Sequence, residues 1–169
     1  MIVKHKLLAG VCTILLLNCS SPIVVSINQQ TVYDPDGRIR QEEVLDADLQ
    51  GCINLALQQQ EIRSSSELST LSCANAQISD LDRISFLGNL RFLDLGDNNI
   101  TNITPLEELP LLGGLNLRNN QIKDIGPLFN MPNLSSVNLE GNNGIACADL
   151  SLLSSRFGEN INLPTECGN

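Results

Sequence analysis

The sequence predicts an α/β solenoid of about four coils, with a parallel sheet on one side, tight helical turns on the other and a cap at each end. Three observations predict it. Apolar residues recur with a period of 22, each copy changes its apolar spacing partway along, and the segments flanking the copies are amphipathic and carry cysteines.

The copies start at Leu68, Leu90, Leu112 and Leu134. The second runs Leu90, Leu93, Leu95, Asn98, Ile100, Ile103, Leu106, Leu109, and the third repeats it as Leu112, Leu115, Leu117, Asn120, Ile122, Ile125, Leu128, Met131. The first copy is Leu68, Leu71, Cys73, Ala76, Ile78, Leu81, Ile84, Leu87. The fourth opens Leu134, Val137, Leu139, Asn142 and loses the pattern at Gly144. Leu93 and Leu95 alternate as in a strand, whereas Ile100, Ile103, Leu106 and Leu109 recur every third residue, as in a helical or 3₁₀ turn. Neither piece buries its own apolar face, but stacked copies share one core. Asn98, Asn120 and Asn142 stand where the chain leaves each strand, so their amides are expected to turn inward and form a ladder that satisfies buried loop backbone. Ala76 breaks that ladder, leaving Asn75 to compensate or the first turn to be capped in another way.

The pattern LxxLxLxxNxIxxIxxL, over residues 68–145, resembles the 22-residue leucine-rich repeats of the internalin-like kind found in bacterial surface proteins. The resemblance implies a short right-handed solenoid with a concave parallel sheet, a 3₁₀ or helical convex side, and a role in binding another protein. A coiled coil is excluded, because no 3.5-residue period is sustained.

A solenoid exposes its core at both ends unless it is capped. Glu42 to Ile62 places Leu45, Leu49, Cys52, Ile53, Ala56 and Leu57 at helical spacing ahead of a Ser-rich stop, which predicts an N-terminal cap helix. A short helix over Asp149 to Phe157 is the C-terminal counterpart. Four cysteines, Cys52, Cys73, Cys147 and Cys167, allow three pairings, and their order alone chooses none. Cys52 on the apolar side of the cap helix and Cys73 at the inward strand position of Leu95 point to Cys52–Cys73. Cys147–Cys167 would then bracket the other cap. Closing loops of about 20 residues stabilises by roughly 3 kcal/mol each in the chain-entropy treatment.

At the N-terminus, Lys4 and Lys6 precede an apolar run from Leu7 to Leu17 that is short for a membrane span and reads as an export signal. Leu16-Leu17-Asn18-Cys19-Ser20 resembles the bacterial lipoprotein signal, which implies lipidation of Cys19, and Ser20 resembles a cue for outer-membrane sorting. Asn18 departs from the small residue usual at that position. Ordinary cleavage near Ser20 or Ser21 is the alternative, leaving a soluble secreted or periplasmic protein. The expected organisation is a signal over 1–18, a lipid-anchor linker over 19–27, an N-terminal strand, turn and helical cap over 28–67, repeats over 68–145 and a C-terminal cap over 146–169. Ile23 to Tyr33 favours a strand or hairpin running into the turn Asp34-Pro35-Asp36-Gly37. A calcium loop there is excluded by Ile39, which stands where that loop needs glycine.

Removing Lys4 and Lys6 with the signal leaves eight basic residues against nineteen acidic ones, a formal charge of −11. Such a surface repels nucleic acid and anionic headgroups, so membrane contact is expected only through the lipid. The single histidine, His5, leaves with the signal, and neither a CxxC pair nor a nucleophile elbow exists. No enzyme, metal or cofactor is therefore expected. Asn99, Asn102 and Asn133 match the N-glycosylation triplet, but with a bacterial-type signal they carry no expected glycan.

With Leu93 and Leu95 inward, the residues between them face out. Phe92, Asp94, Asn116, Arg118, Asn138 and Glu140 then form the candidate protein-binding face, an aromatic and an arginine among polar groups being the usual make-up of an interaction hot spot. The other reading of Phe92 is that it packs on Gly114 to cover the sheet. Four short strands make a face of roughly 300–400 Å², below the ~800 Å² per partner of a standard interface. The partner's identity is not written in these residues. A structural envelope lipoprotein is the alternative function.

Overall fold

Five strands of two or three residues set the architecture. The computed structural model describes residues 44–165 in full and the backbone of residues 25–27 and 30–33. An antiparallel pair, β1 (Val25–Ile27) and β2 (Gln30–Tyr33), precedes the helix α1 (Ala47–Gln59). The strands β3 (Thr70–Ser72), β4 (Phe92–Asp94), β5 (Gly114–Asn116), β6 (Ser136–Asn138) and β7 (Ile161–Asn162) then form one parallel sheet in sequence order. Thr70 pairs with Phe92, Phe92 with Gly114 and Gly114 with Ser136, so the same position of each coil stacks on the next.

Each strand sends one residue inward, Leu71, Leu93, Leu115 or Val137, and a second follows just past the strand end, Cys73, Leu95, Leu117 or Leu139. All are buried. The return path of each coil adds columns such as Ile78–Ile100–Ile122 and Ile84–Leu106–Leu128, every member essentially inaccessible. A fully buried aliphatic side chain contributes about 1.5–3 kcal/mol, so the column of coils is a single hydrophobic core. The turns opposite the sheet are 3₁₀ at Ile84–Phe86 and Thr104–Glu108 and a single α turn, α2 (Gly126–Phe129). At the same place in each coil, Asp80, Asn102 and Asp124 accept from the N–H two residues on, at 2.8, 3.0 and 2.8 Å. In the second and third turns that N–H belongs to the first helical residue, Thr104 or Gly126, and Pro105 and Pro127 follow at the second.

Where the chain leaves each strand, the backbone enters the left-handed region at Asn75, Asp97, Asn119 and Gly141, with φ of 55°, 58°, 51° and 78°. Asn, Asp and Gly are the residues that tolerate it. Immediately beyond, the buried amides of Asn98, Asn120 and Asn142 tie one coil to the one before. Asn98 Oδ1 accepts from the N–H groups of Ala76 and Ile78, and its Nδ2 donates to the carbonyls of Cys73, Leu95 and Gly96. Asn120 accepts from Ile100 and donates to Leu95, Leu117 and Arg118, and Asn142 accepts from Ile122 and donates to Leu117 and Leu139.

The ladder stops at Ala76 for a physical reason. Each Asn reaches backbone groups 20 and 25 residues earlier, and for position 76 those residues lie inside α1, whose backbone is already paired within the helix. Asn75 does not substitute, being exposed. Instead Asp46, the N-cap of α1, holds the first turn: its Oδ1 accepts from Asp48 and Leu49 N–H, and its Oδ2 accepts from Ser79 and Asp80 N–H at 2.9 and 3.1 Å.

The caps differ from expectation in three places. Leu45 is 63% exposed and is not part of the apolar helix face, because Asp46 begins the helix after it; Val44 is buried instead. The C-terminal helix α3 (Cys147–Phe157) starts two residues before Asp149. The sheet has a fifth strand, β7, whose Ile161 pairs with Val137 and whose Asn162 carbonyl accepts from Leu139 N–H at 2.8 Å. It covers the edge that β6 would otherwise leave open. The strand β1 also falls wholly within the segment expected as linker, 19–27.

A disulfide joins Cys52 on α1 to Cys73 beyond β3, closing 21 residues. Cys147 is disulfide-bonded as well. Cys167, and hence the expected Cys147–Cys167 pairing, lies outside the described residues, as do Cys19 and the turn at Asp34 to Gly37. Arg156 secures α3 by donating to the carbonyls of Leu128 and Phe129 at the end of α2 and to that of Met131 just beyond it.

Candidate binding face on the parallel sheet

Alternation along the short strands puts Thr70, Phe92, Gly114 and Ser136 in one outward row and Ser72, Asp94, Asn116, Asn138 and Asn162 in the next. Phe92 is 43% exposed, one of few large apolar side chains so placed. Its ring is held against Gly114: a β-carbon at that glycine would lie 2.9 Å from Phe92 Cδ2. The two readings of Phe92 are thus one arrangement, with one part of the ring covering the neighbouring strand and the rest open to solvent.

The second row does structural work at the end of each strand. Oδ1 of Asp94, Asn116 and Asn138 accepts the N–H of Gly96, Arg118 and Glu140 at 3.0, 3.1 and 3.0 Å, an Asx turn repeated in three coils. Asp94 is further engaged, accepting from Ser72 Oγ at 3.2 Å and from Asn116 Nδ2 at 2.8 Å. In the rows beyond, Asn119 Nδ2 donates to Asp97 Oδ1 at 2.7 Å, and the Arg118 guanidinium stands 3.9 Å from the same carboxylate, both about half exposed. Arg118 therefore pairs with Asp97 and not with Asp94 or Glu140. Glu140 is exposed and has no side-chain partner among the described residues.

Phe92, Asn116 and Asn138 share one open depression of about 400 Å³, floored by Leu115 and Val137. Its far rim is Glu159, Asn160 and Asn162, from the turn after α3 and from β7. Sequence reasoning missed these three. The repeat ends before them, and only the pairing of β7 with β6 brings them to the face. Asp94, Arg118 and Glu140 do not line the depression. A second open hollow, on the turn side and of about 470 Å³, is lined by Arg83, Ser85, Phe86 and Glu108.

Asp46 is the one described group whose titration departs clearly from its ordinary value. Burial pushes its pKa up, but four backbone N–H donors, from Ser79, Leu49, Asp80 and Asp48, outweigh that and hold the carboxyl below 3.8. It lies at the N-terminal cap, away from the face. Among the described residues no group of three or more His, Cys, Asp or Glu is arranged to hold a metal ion, and no helix is long and apolar enough to cross a membrane.

A stack of parallel strands with inward leucines, Asn-tied loops and tight return turns defines a leucine-rich-repeat solenoid. The chain belongs to that family: the model for two-copy leucine-rich repeats matches residues 66–109 and 114–155, together half of the sequence. Among solved structures it is similar to internalin C2 of Listeria monocytogenes, with 25% identity and a TM-score of 0.52 over 57% of this chain and 46% of that one. It is likewise similar to an internalin (inlF) of the same organism, with 28% identity and a TM-score of 0.53 over 78% of this chain and 45% of that one. The chain thus spans less than half the length of either internalin. No curated protein matches it. Leucine-rich-repeat domains typically act as protein-interaction modules.

Proposed function

We propose that this chain is a non-enzymatic protein-binding module displayed on a bacterial envelope by a lipid on Cys19, with its sheet face as the binding surface. The observation that carries the binding half is Phe92. A large aromatic that is exposed yet already held against Gly114 loses little conformational freedom on contact, and polar groups surround it. Asn116 and Asn138 share its depression, and Asp94, Arg118 and Glu140 lie further along the same face. Asp94 and Asn116 act mainly by holding its shape; Arg118, Asn138 and Glu140 offer exposed or partly free polar groups.

The anchor rests on the sequence: a basic start, a short apolar run and Leu16-Leu17-Asn18-Cys19-Ser20, with Ser20 suited to the outer membrane. Acylation with two or three chains gives stable attachment. A Cys147–Cys167 bridge would close the C-terminal cap as Cys52–Cys73 closes the other. Because the face is smaller than a standard interface, many anchored copies acting together would supply strength that one lacks.

Two readouts in the native host test this. Intact mass and membrane fractionation of the wild type beside Cys19→Ala should show an acylated chain starting at Cys19 that leaves the membrane in the variant. A soluble chain starting after Ser20 or Ser21 overturns the anchor and leaves a secreted binder. A photo-crosslinker at Phe92 should capture a discrete protein that the same group at Glu107, on the turn side, does not. Equal capture at both positions overturns the binding face.

A further inference from the structure

Polar groups on the sheet face are not equally available. Towards the N-terminal end they satisfy one another: Ser72 and Asn116 both donate to Asp94, Asn119 donates to Asp97, and Arg118 pairs with Asp97. Towards the C-terminal end they do not. Among the described residues the Asn138 side chain makes one bond, through Oδ1, its two amide N–H groups having no partner there, and the side chains of Glu159, Asn160 and Asn162 bond nothing. These open groups and Phe92 line the same depression of about 400 Å³. Among the described residues Glu159 is the only charged one that lines it, and Arg118 is not part of it.

Resting on the protein-binding reading above, we infer that this depression is the recognition site proper and that it takes a short basic segment of the partner, an arginine or lysine with its neighbours. The chemistry is complementary. One carboxylate, Glu159, awaits a cation in a groove whose described lining carries no positive charge. The open part of the Phe92 ring accepts an alkyl stem or a guanidinium plane, and the free amides of Asn138, Asn160 and Asn162 can bond main-chain groups of an extended segment. A lone exposed ion pair is weak, but beside an aromatic in a partly enclosed groove it gains from reduced screening. The volume lies at the low end of the ~300–1,000 Å³ of small-ligand sites, which suits a few residues. The acidic balance of the chain, nineteen Asp and Glu against ten Lys and Arg, draws a basic segment from a distance. The C-terminal cap is then a source of specificity as well as a closure.

The test is a titration of the soluble mature chain carrying Cys19→Ala, followed by NMR of the side-chain amides. The probes are blocked pentapeptides Gly-Ser-Xaa-Ser-Gly with Arg, Lys, Gln or Glu at Xaa, beside a neutral trisaccharide. The Arg and Lys peptides should shift the amide signals of Asn138, Asn160 and Asn162 and bind about tenfold tighter than the Glu peptide, with affinity falling as salt rises. Glu159→Gln and Phe92→Ala should each weaken the Arg peptide severalfold, and Glu107→Gln should not. All three positions are on the surface, and an unchanged melting temperature checks the fold. Equal binding of all four peptides, no binding at millimolar concentration, stronger binding of the trisaccharide, or indifference to Glu159→Gln overturns the inference. If any of these results appears while a crosslinker at Phe92 still captures a protein, the basic segment is wrong and the binding face stands.

Discussion

Asn116 and Asn120 belong to the same coil, four residues apart, and carry the same side chain. Asn120 is buried and makes four bonds to backbone groups of its own coil and the preceding one; Asn116 is half-buried on the sheet face, closes its own turn and steadies Asp94. The pair Asn142 and Asn138 repeats the contrast one coil later. Position in the coil separates the two roles. An inward amide sits among buried backbone groups of two coils and bonds them through both its oxygen and its nitrogen, so its chemistry is entirely consumed by the fold. An outward amide needs only its oxygen for the turn, and what its N–H groups do depends on the neighbour. Asn116 has Asp94 to bond, and Asn138 has nothing described, so the face is structural at one end and open at the other.

The sharpest way to break this comparison is to remove one amide of each kind. Asn120→Ala leaves the N–H of Ile100 without a partner and takes one of two donors from the carbonyls of Leu95, Leu117 and Arg118, four bonds expected to cost about 3–4 kcal/mol together, whereas Asn138→Ala should cost less than about 1 kcal/mol. Urea unfolding of both variants decides, and equal losses would remove the distinction. Next in size is the tie between cap and first coil. Replacing Cys52 and Cys73 together with Ser should cost about 3 kcal/mol, and the N-terminal cap should exchange amide hydrogens before the repeats do. At the other end, Arg156→Ala removes three charge-assisted bonds, two to α2 and one to Met131 beyond it, expected at about 1–2 kcal/mol and visible as faster proteolysis after Phe157.

The smallest effect concerns Asp46. Its folded pKa lies below its ordinary 3.8, so its contribution is complete above that value and is lost as pH falls through the folded pKa. Asp46→Ala should cost about 1 kcal/mol at neutral pH as a lost cap and should flatten the fall in melting temperature below pH 4. An unchanged acid limb would show that other carboxylates carry it.

What could be read from the sequence was what repeats. The strand positions, the inward leucines, the Asn ladder and the pairing of Phe92 with Gly114 all follow from a period seen several times over. What escaped it depends on contacts made once, between segments outside the period. Asp46 reaches Ser79 across 33 residues, Arg156 reaches Leu128 across 28, and β7 brings Glu159, Asn160 and Asn162 to the groove with only two residues of strand. Leu45 shows the opposite error. Its spacing fits the helix face, but the N-cap at Asp46 ends the helix before it. The binding residues divide in the same way, with Phe92, Asn116 and Asn138 visible from the repeat and the rim that completes their groove not.

The account turns on whether Phe92, which covers the neighbouring strand with part of its ring, is also the centre of recognition. The most direct measurement is the affinity of the crosslinked partner, once purified, for the wild type and for Phe92→Ala, with melting temperatures taken alongside. A fall of about tenfold or more with the melting temperature nearly unchanged is the predicted result. Unchanged affinity, or a loss matched by a drop in stability, would contradict it and leave Phe92 a structural residue.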